Sequence, residues 1–463
     1  MQLSGNLPDD IGQFTELQIL YLVGCGFTGP IPGTIGYLEN LIFFSLNSNG
    51  FTGPIPASIG NHTNLQWLDL NGNKLTGSIP VSNGTTPGLD LLTKAQHFHL
   101  GDNQLSGDIP PALFNMRLIH LLLENNKLTG NIPSTLGLVT SLIVVRLDRN
   151  SLRGLVPSNI NSLINLQNMF MYNNQLSGTK SHRHERPELY SEVIPPWFST
   201  LQALRTIKMH KTKLGGQLPA ALFSIPQLQI VNLSSNRIIG PLNISPNPST
   251  QLQLVDLGNN LIGDFNQQSE YSTSIGLILV GNPICRESGV TESFCSSTTK
   301  STTPYSTPQN KCVTASCDSG LVLSPICQCA LPYTGSFFFK APFFSSLENP
   351  SIYSSSLHDS LMEFFQNASL PVSSVSLKNA TRNVDDYLEI KLEVSHTENQ
   401  FSLGQRFLGS GMYSFRQKEP AERALEQSQP FALWDPTSGS GDVPQLKGAR
   451  SFTFEELQKY FGD

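Results

Sequence analysis

The stretch that decides the fold is LQWLDLNGNKLTGSIP, which runs from Leu65 to Pro80. Its leucines follow the order L-x-x-L-x-L, and an anchor residue, Asn73, and a G-x-I-P tail come after them. The pattern recurs, mostly at intervals of 24 residues. A fixed period of this length predicts stacked coils, each of which buries its apolar side against its neighbours. The anchors are Cys25, Asn49, Asn73, Asn103, Asn126, Asn150, Asn174, Thr212, Asn236 and Asn260, with a weaker one at Asn282.

Each coil is expected to contain one short strand, formed by its L-x-L core, whose alternate residues point inward. The anchor side chain should turn the chain and bond backbone groups of adjacent coils, because those groups would otherwise be buried unpaired. Cys25 is expected to fill this inward slot as a free, packed thiol. The G-x-I-P tail resembles that of plant-type leucine-rich repeats. The resemblance predicts an α/β-type leucine-rich-repeat solenoid, a curved horseshoe, over residues 1–295 with a C-terminal cap.

Two intervals between anchors are longer than the rest. The 30-residue interval from Asn73 to Asn103 contains an insertion in VSNGTTPGLDLL, which we expect to form a surface loop. The 38-residue interval from Asn174 to Thr212 contains a polar segment, Thr179 to Val193, without the leucine pattern. This segment is either a protruding loop with a basic, His-rich binding face or a repeat that lost about ten residues or was replaced.

The strand face of such a solenoid is the expected ligand-binding surface, and its outward positions lie two, four and six residues before each anchor. Five aromatic residues at these positions are predicted to be exposed, and aromatic and Arg side chains are common interface anchors. They favour a peptide or protein ligand that crosses the concave face; alternatively, the rings shield strand edges or face glycans. The predicted ligand-binding residues are Tyr21, Phe43, Trp67, Asp69, His97, His99, His120, Glu124, Arg146, Asp148, Phe170 and Tyr172.

Three histidines form a tight set on this face. His120 occupies the slot of His97 one coil later, so their side chains should be about 5 Å apart, and His99 lies on the same strand face as His97. With Glu124 nearby, the imidazoles could hold a metal or become charged together as the pH falls. They could also be ordinary solvated side chains, and we expect no metal and no cofactor.

Composition points to a secreted type of protein. The net charge of −6 weakens a nucleic-acid interpretation. An even cluster of six cysteines and six N-glycosylation sequons indicate an oxidising, secretory environment. No signal peptide and no continuously apolar membrane span is recognisable, and Met1 lies at a mid-repeat position. The sequons are at Asn61, Asn83, Asn232, Asn243, Asn367 and Asn379.

The C-terminal half is expected to differ from the repeats. Cys285 and Cys295 should staple a cap, and residues 296–311 read as a Ser/Thr/Pro linker. Residues 312–410 predict a small Cys-rich α+β module with a helix in Ser354 to Ala368, and residues 411–463 predict a largely disordered tail. The module's cysteines favour disulfides over a zinc site, with the pairing left open. They are Cys312, Cys317, Cys327 and Cys329.

These features together resemble plant leucine-rich-repeat receptor-like serine/threonine protein kinases with a Cys-rich, membrane-proximal module. The Cys block, PYTGSFFFKAPFFSSL and the tail QKEPAERALEQSQPFALWDP carry the resemblance. It implies an extracellular ectodomain at the plasma membrane, a peptide or protein ligand and a co-receptor. The family's transmembrane helix is missing near Gly411, and none of the kinase motifs occurs.

The sequence therefore predicts the ligand-binding ectodomain and juxtamembrane tail of a truncated receptor, used for transmembrane signalling. The alternative is a soluble secreted leucine-rich-repeat protein that acts as a decoy or as an inhibitor of a wall-degrading enzyme. We expect no enzymatic activity in this chain, because its Ser, His and Asp residues form no recurring nucleophile constellation.

Overall fold

The structure is a computed structural model of the 463-residue chain. It describes residues 5–177, 196–245, 247–266, 275–286, 292–296, 317, 322–323, 327, 329–339, 358, 362, 372–382, 388–396 and 432–435. The chain divides into two compact units, one of Ser4–Thr299 and one built mainly from Lys300–Asp463.

The repeat unit is organised around one parallel sheet. Each L-x-L core contributes a three-residue strand, and each strand pairs in register with the strand of the next coil. In the described part of the chain this sheet has eleven strands. They are Ile19–Tyr21, Phe43–Ser45, Trp67–Asp69, His97–His99, His120–Leu122, Val144–Arg146, Asn168–Phe170, Thr206–Lys208, Ile230–Asn232, Leu254–Asp256 and Gly276–Ile278.

The residues after each anchor form further parallel strands. Their glycines, such as Gly77 with φ +78°, adopt the left-handed conformation that side chains rarely tolerate. The six-stranded group comprises Gly5–Asn6, Phe27–Pro30, Gly50–Pro54, Lys74–Gly77, Gln104–Asp108 and Lys127–Thr129. Smaller groups comprise Arg153–Gly154 with Gln175–Leu176, and Gly215–Gly216 with Arg237–Leu242 and Leu261–Phe265.

Short 3-10 helices complete the coils, and most of them begin directly after the proline of the G-x-I-P tail. Proline suits this place because its fixed φ precedes a helical turn without loss of a needed N–H donor. The helices are Asp9–Gln13, Gly33–Tyr37, Ala57–Asn61, Leu89–Leu91, Pro111–Asn115, Ser134–Leu138, Ser158–Ser162, Pro196–Thr200, Ala220–Ser224, Pro283–Cys285 and Ser293–Cys295.

The anchor asparagines bond adjacent coils as predicted. Asn73 Nδ2 donates to the backbone oxygens of Leu70 (3.1 Å) and, one coil earlier, Leu46 (3.0 Å). Its Oδ1 accepts from the N–H of Phe51 at 3.1 Å. At the Cys25 anchor the thiol is free and half-buried, and burial raises its pKa. The anchors therefore satisfy polar groups inside the coil stack.

His62 is an unusual core residue of the second complete coil. It occupies the slot that Leu38 holds one coil earlier, and both side chains are 0% exposed. Its ring meets Phe44 edge-on with centroids 6.0 Å apart, and neither ring nitrogen makes a hydrogen bond of good geometry. Burial lowers the pKa of His62 to about 4, against a smaller opposing effect of the Leu38 backbone.

The strands on either side of each long interval pair directly with each other. Trp67 pairs directly with His97 across the 30-residue interval, and Ser82 in its insertion donates to the Asp90 carboxylate. Asn168 pairs directly with Thr206 across the 38-residue interval. Among the described residues no further strand lies between these partners, and both interpretations of the polar segment stay predictions. The polar segment Thr179 to Val193 itself lies outside the described residues.

The end of the repeat unit carries the predicted disulfide. Cys285 and Cys295 are bonded, and Phe294 beside Cys295 is buried at the end of the stack. Phe294 O accepts a hydrogen bond from Leu279 N at 2.7 Å, which fastens this segment to the last strand. The disulfide therefore holds a cap over the last coil.

The second unit contains an antiparallel sheet. Cys329–Phe339 pairs with Leu388–His396, which pairs in turn with Val372–Arg382. Cys317 is bonded to Cys329, and Cys327 is also in a disulfide. Cys312 and most of the predicted helix in Ser354 to Ala368 lie outside the described residues. Strand Val322–Leu323 pairs with the start of the long strand.

One part of the predicted disordered tail is ordered. Ala432–Asp435 forms a strand that pairs with Ser336–Phe339. This segment lies on the edge of the long strand that Val322–Leu323 leaves uncovered, since those residues pair only with 329–330. An open edge presents unpaired backbone groups, and the apolar sequence ALW supplies a partner for them. For the rest of residues 411–463, a largely disordered tail stays a prediction.

Candidate functional site

The outward side chains of the eleven-stranded sheet form one surface, here called the strand face. In most strands the middle residue, such as Leu68 or Phe98, is fully buried in the core, while its two neighbours point to the other side. Register pairing places equal slots of successive coils side by side, for example Asp69 beside His99. The structure thereby brings the twelve predicted residues onto a common surface, as the counting from anchors predicted.

The exposure predicted for the aromatic residues is wrong for three of the five. Tyr21 is exposed and Phe43 is half-buried, but Trp67, Phe170 and Tyr172 keep only 6%, 1% and 3% of their surface. Sequence counting gives the direction of a side chain but not its lateral contacts. The large rings lie flat against side chains of neighbouring coils instead of standing into solvent.

The contacts of these rings show this lateral packing. Trp67 stacks on His97 with ring centroids 3.9 Å apart, and Tyr172 stacks on His210 at 4.3 Å. Two cations lie over the ring of Phe170, with Arg146 at 5.0 Å and Lys208 at 5.7 Å from its centroid. Such stacking and cation–π contacts are favourable.

The three histidines of the strand face form a cluster. The rings of His97 and His120 have centroids 4.8 Å apart, which confirms the expected spacing, and their Nδ1 atoms are 3.2 Å apart. His99 lies 6.0 Å from each of the other two rings. The Nδ1 atom of His99 is 4.0 Å from Oδ2 of Asp69 on the neighbouring strand.

Two of the three imidazoles resist protonation. Burial, together with the neighbouring His120 and His99, holds the pKa of His97 well below its ordinary value. Burial and the nearby His99 lower the pKa of His120 to about 3. Burial therefore disfavours the protonated forms of these two rings, which argues against a patch that becomes charged as the pH falls.

A buried ion-pair group occupies the middle of the strand face. The guanidinium of Arg146 donates two hydrogen bonds of 3.1 Å to the Asp148 carboxylate, and both side chains are buried. Arg149 Nη1 lies 3.3 Å from the same carboxylate and donates to the Tyr172 hydroxyl at 2.8 Å. Bidentate pairs of this kind hold a guanidinium in one orientation.

Sequence reasoning left Arg149 out of the site because it stands one residue before an anchor, outside the counted positions. Its φ of +54° turns the chain there and directs its side chain to the strand face. The sequence signal that could have identified Arg149 is a cationic residue directly before an anchor. Lys208 and His210 stood at counted positions but were not selected.

Glu124 is fully buried, and its neighbour on the preceding coil is a glycine. A Cβ atom at Gly101 would lie 2.5 Å from Glu124 Oε1 and 2.7 Å from Asn71 Oδ1. The missing side chain of Gly101 therefore makes room for the carboxylate.

The sequons differ in accessibility. Asn83 and Asn243 are exposed, and Asn61 and Asn232 are half-buried. Asn232 ends a strand of the eleven-stranded sheet, so a glycan there would stand on the strand face. Asn367 lies outside the described residues, and the side chain of Asn379 is not described. N-glycosylation at all six positions stays a prediction.

Comparison with known proteins agrees with the repeat assignment. The family described as Leucine Rich Repeat matches residues 16–38, 64–84, 94–116 and 117–138. The chain is 36% identical, over 459 residues, to a probable leucine-rich repeat receptor-like protein kinase of Arabidopsis thaliana. The match covers 81% of this chain and 46% of that relative, so the chain spans about half of the relative's length.

Two solved structures share the fold of the repeat unit. The plant peptide hormone receptor RGFR1, in complex with RGF2, is 26% identical with a TM-score of 0.51, and the match covers 61% of this chain and 42% of that chain. A TDR receptor is 25% identical with a TM-score of 0.51, and the match covers 61% and 50%.

None of the four matched segments belongs to a kinase domain. Among the helices that the structure describes, none has the length and apolar character needed to span a bilayer. The recurring anchors, the register of the sheet and these relatives agree. The chain therefore belongs to the leucine-rich-repeat proteins and is related to the plant leucine-rich-repeat receptor-like protein kinases.

Proposed function

We propose that this chain contains the ligand-binding ectodomain of a receptor-like kinase and that a peptide or protein ligand lies along its strand face. The observation that carries the proposal is the row of aromatic and charged side chains that the paired coils place on one face from Tyr21 to Tyr172, with Tyr21 exposed and Phe43 half-buried. Interfaces are enriched in such side chains, and a few of them usually dominate the binding energy. The name of the similar structure, a peptide hormone receptor in complex with RGF2, supports the same class of ligand.

The buried ion pairs favour an ordered ligand-binding surface. Arg146 is held by Asp148 through two hydrogen bonds, and Tyr172 is held by Arg149. Groups that are fixed before binding lose little conformational entropy when a ligand arrives. This part of the strand face would therefore bind with little rearrangement, and a co-receptor is proposed as a second partner of the complex.

The test compares two exposed tyrosines on different sides of the coils. Tyr21 lies on the strand face with 44% of its surface exposed, and Tyr37 ends the helix Gly33–Tyr37 with 63% exposed. The full chain is used to select binders from a library of synthetic secreted plant peptides. The selected peptide is then titrated against Tyr21→Ala and Tyr37→Ala.

Tyr21→Ala should weaken binding by about tenfold or more, since interface residues that matter contribute at least about 1 kcal/mol. Tyr37→Ala should leave binding unchanged. Equal affinities of the two variants, or a selective loss in Tyr37→Ala, would contradict a ligand on the strand face.

A further inference from the structure

We propose that His97, His99 and His120 bind one divalent transition-metal ion, with Zn²⁺ as the expected metal. Within the described residues, these three form a group whose ligand atoms all lie within 4.8 Å of one another. The proposal departs from the sequence-based expectation of no metal, and it does not depend on the proposed ligand.

The spacing of the ring nitrogens fits a tetrahedral ion. Two imidazole nitrogens that bind Zn²⁺ at about 2.0–2.1 Å are about 3.3 Å apart in tetrahedral geometry. The Nδ1 atoms of His97 and His120 are 3.2 Å apart, so these two need almost no movement. The third ligand atom, from His99, must approach by at most about 1.5 Å, which small rotations of its ring supply.

The sheet and the Trp67 ring restrict the positions of the proposed ligands. His97 and His120 are direct partners in adjacent strands, and His97 and His99 are the two outward residues of one strand. Trp67 stacks on His97 and meets His99 edge-on at 5.0 Å, which limits the orientations of both rings. Ligands on paired strands of a sheet are positioned more accurately than ligands on loops.

The chemistry of the surroundings also suits an ion. Asp69 lies beside Nδ1 of His99 at 4.0 Å, where a carboxylate orients a ligand that binds through Nε2.

Three imidazoles leave one position of a tetrahedral Zn²⁺ for water or another donor. The same nitrogen pair could instead share one proton in a His97–His120 hydrogen bond. Metal uptake distinguishes these two arrangements, because only the first binds an ion.

The experiment is a calorimetric titration of the full chain with ZnCl₂ at pH 7, after removal of metals with a chelator. One ion should bind per chain, and Co²⁺ in its place should give the visible absorption of a tetrahedral site. His97→Ala and His120→Ala should each weaken Zn²⁺ binding by about 100-fold or more, and Asp69→Asn by about tenfold.

Two controls cover the other histidines. His210→Ala removes a strand-face histidine outside the cluster, and the double variant His182→Ala/His184→Ala removes the pair in the long insertion. Both should bind Zn²⁺ as the parent chain does. Circular dichroism checks the fold of each variant, and His97→Gln, which keeps the size of the side chain, replaces His97→Ala if the latter unfolds.

The proposal is overturned if the parent chain takes up no Zn²⁺ in a saturable manner. It is equally overturned if folded His97→Gln binds as tightly as the parent, or if the double insertion variant removes the uptake.

Discussion

Replacement of His62 by leucine tests the account of the coil interior. The imidazole is fully buried, makes no hydrogen bond of good geometry and has a pKa lowered to about 4. Leucine is the residue that the pattern places there, as Leu38 shows one coil earlier. The substitution keeps the sequon at Asn61, because the middle residue of N-x-T is free to vary.

The pH dependence follows from the pKa values of His62 in the two states. The unfolded chain binds a proton at the ordinary pKa of 6.5, whereas the folded chain stays neutral until about pH 4. Protonation therefore favours the unfolded state as the pH falls from 6.5 to 4. The parent chain should lose about 3 kcal/mol of stability from this residue by pH 4, and none of it above about pH 7.5.

His62→Leu should remove this loss. At pH 7.5 it should be more stable than the parent by about 1–3 kcal/mol, since a buried group without a hydrogen-bond partner is replaced by an apolar one. The gap should widen by about 2–3 kcal/mol at pH 4.5.

The assay is urea unfolding of both chains at pH 7.5, 6, 5 and 4.5. The quantity of interest is the difference between their unfolding free energies at each pH, in which contributions of all other titrating groups cancel. A difference that stays constant from pH 7.5 to 4.5 would refute the reasoning about His62. Loss of stability in His62→Leu at every pH would refute it as well.

Three further substitutions test particular contacts of the repeat unit by urea unfolding. Asn73→Ala should lower the free energy of unfolding by about 2–4 kcal/mol, because it leaves buried backbone groups of two coils unpaired. Asn64→Ala, on the surface, should lower it by less than about 0.5 kcal/mol. Equal losses in the two variants would contradict the role of the anchors. Cys285→Ser should lower the free energy of unfolding by about 2–3 kcal/mol and open the cap. Unchanged stability under oxidising conditions would show that the disulfide does not stabilise the cap. Arg146→Ala should lower the free energy of unfolding by about 3–5 kcal/mol, because a buried carboxylate loses its bidentate partner. A comparable loss in the exposed control Arg153→Ala would contradict a specific contribution of the ion pair.

Much of the fold could be predicted because each coil repeats the same local structure. The leucines and anchors fix which side chains enter the core, and Asn73 forms the predicted bonds to the preceding coil. Register pairing follows from this periodicity, so the neighbourhood of His97 and His120 was predictable within about an ångström. The capping disulfide of Cys285 and Cys295 followed from its place at the end of the stack.

The remainder depends on contacts that periodicity does not encode. The burial of Trp67 and Phe170 comes from rings and cations of neighbouring coils, whose reach along the sheet a count of positions ignores. The low pKa of His120 follows from burial that only the assembled face provides. To predict the strand Ala432–Asp435, one would have to know that a sheet edge far away in sequence is open.

The most direct test of the central claim is a map of where a bound ligand lies. A photoreactive version of the peptide selected on the full chain is cross-linked to it, and the modified residues are identified by mass spectrometry. Cross-links are expected on the strand face between Tyr21 and Tyr172. Cross-links confined to the helix side, such as at Tyr37, would contradict it.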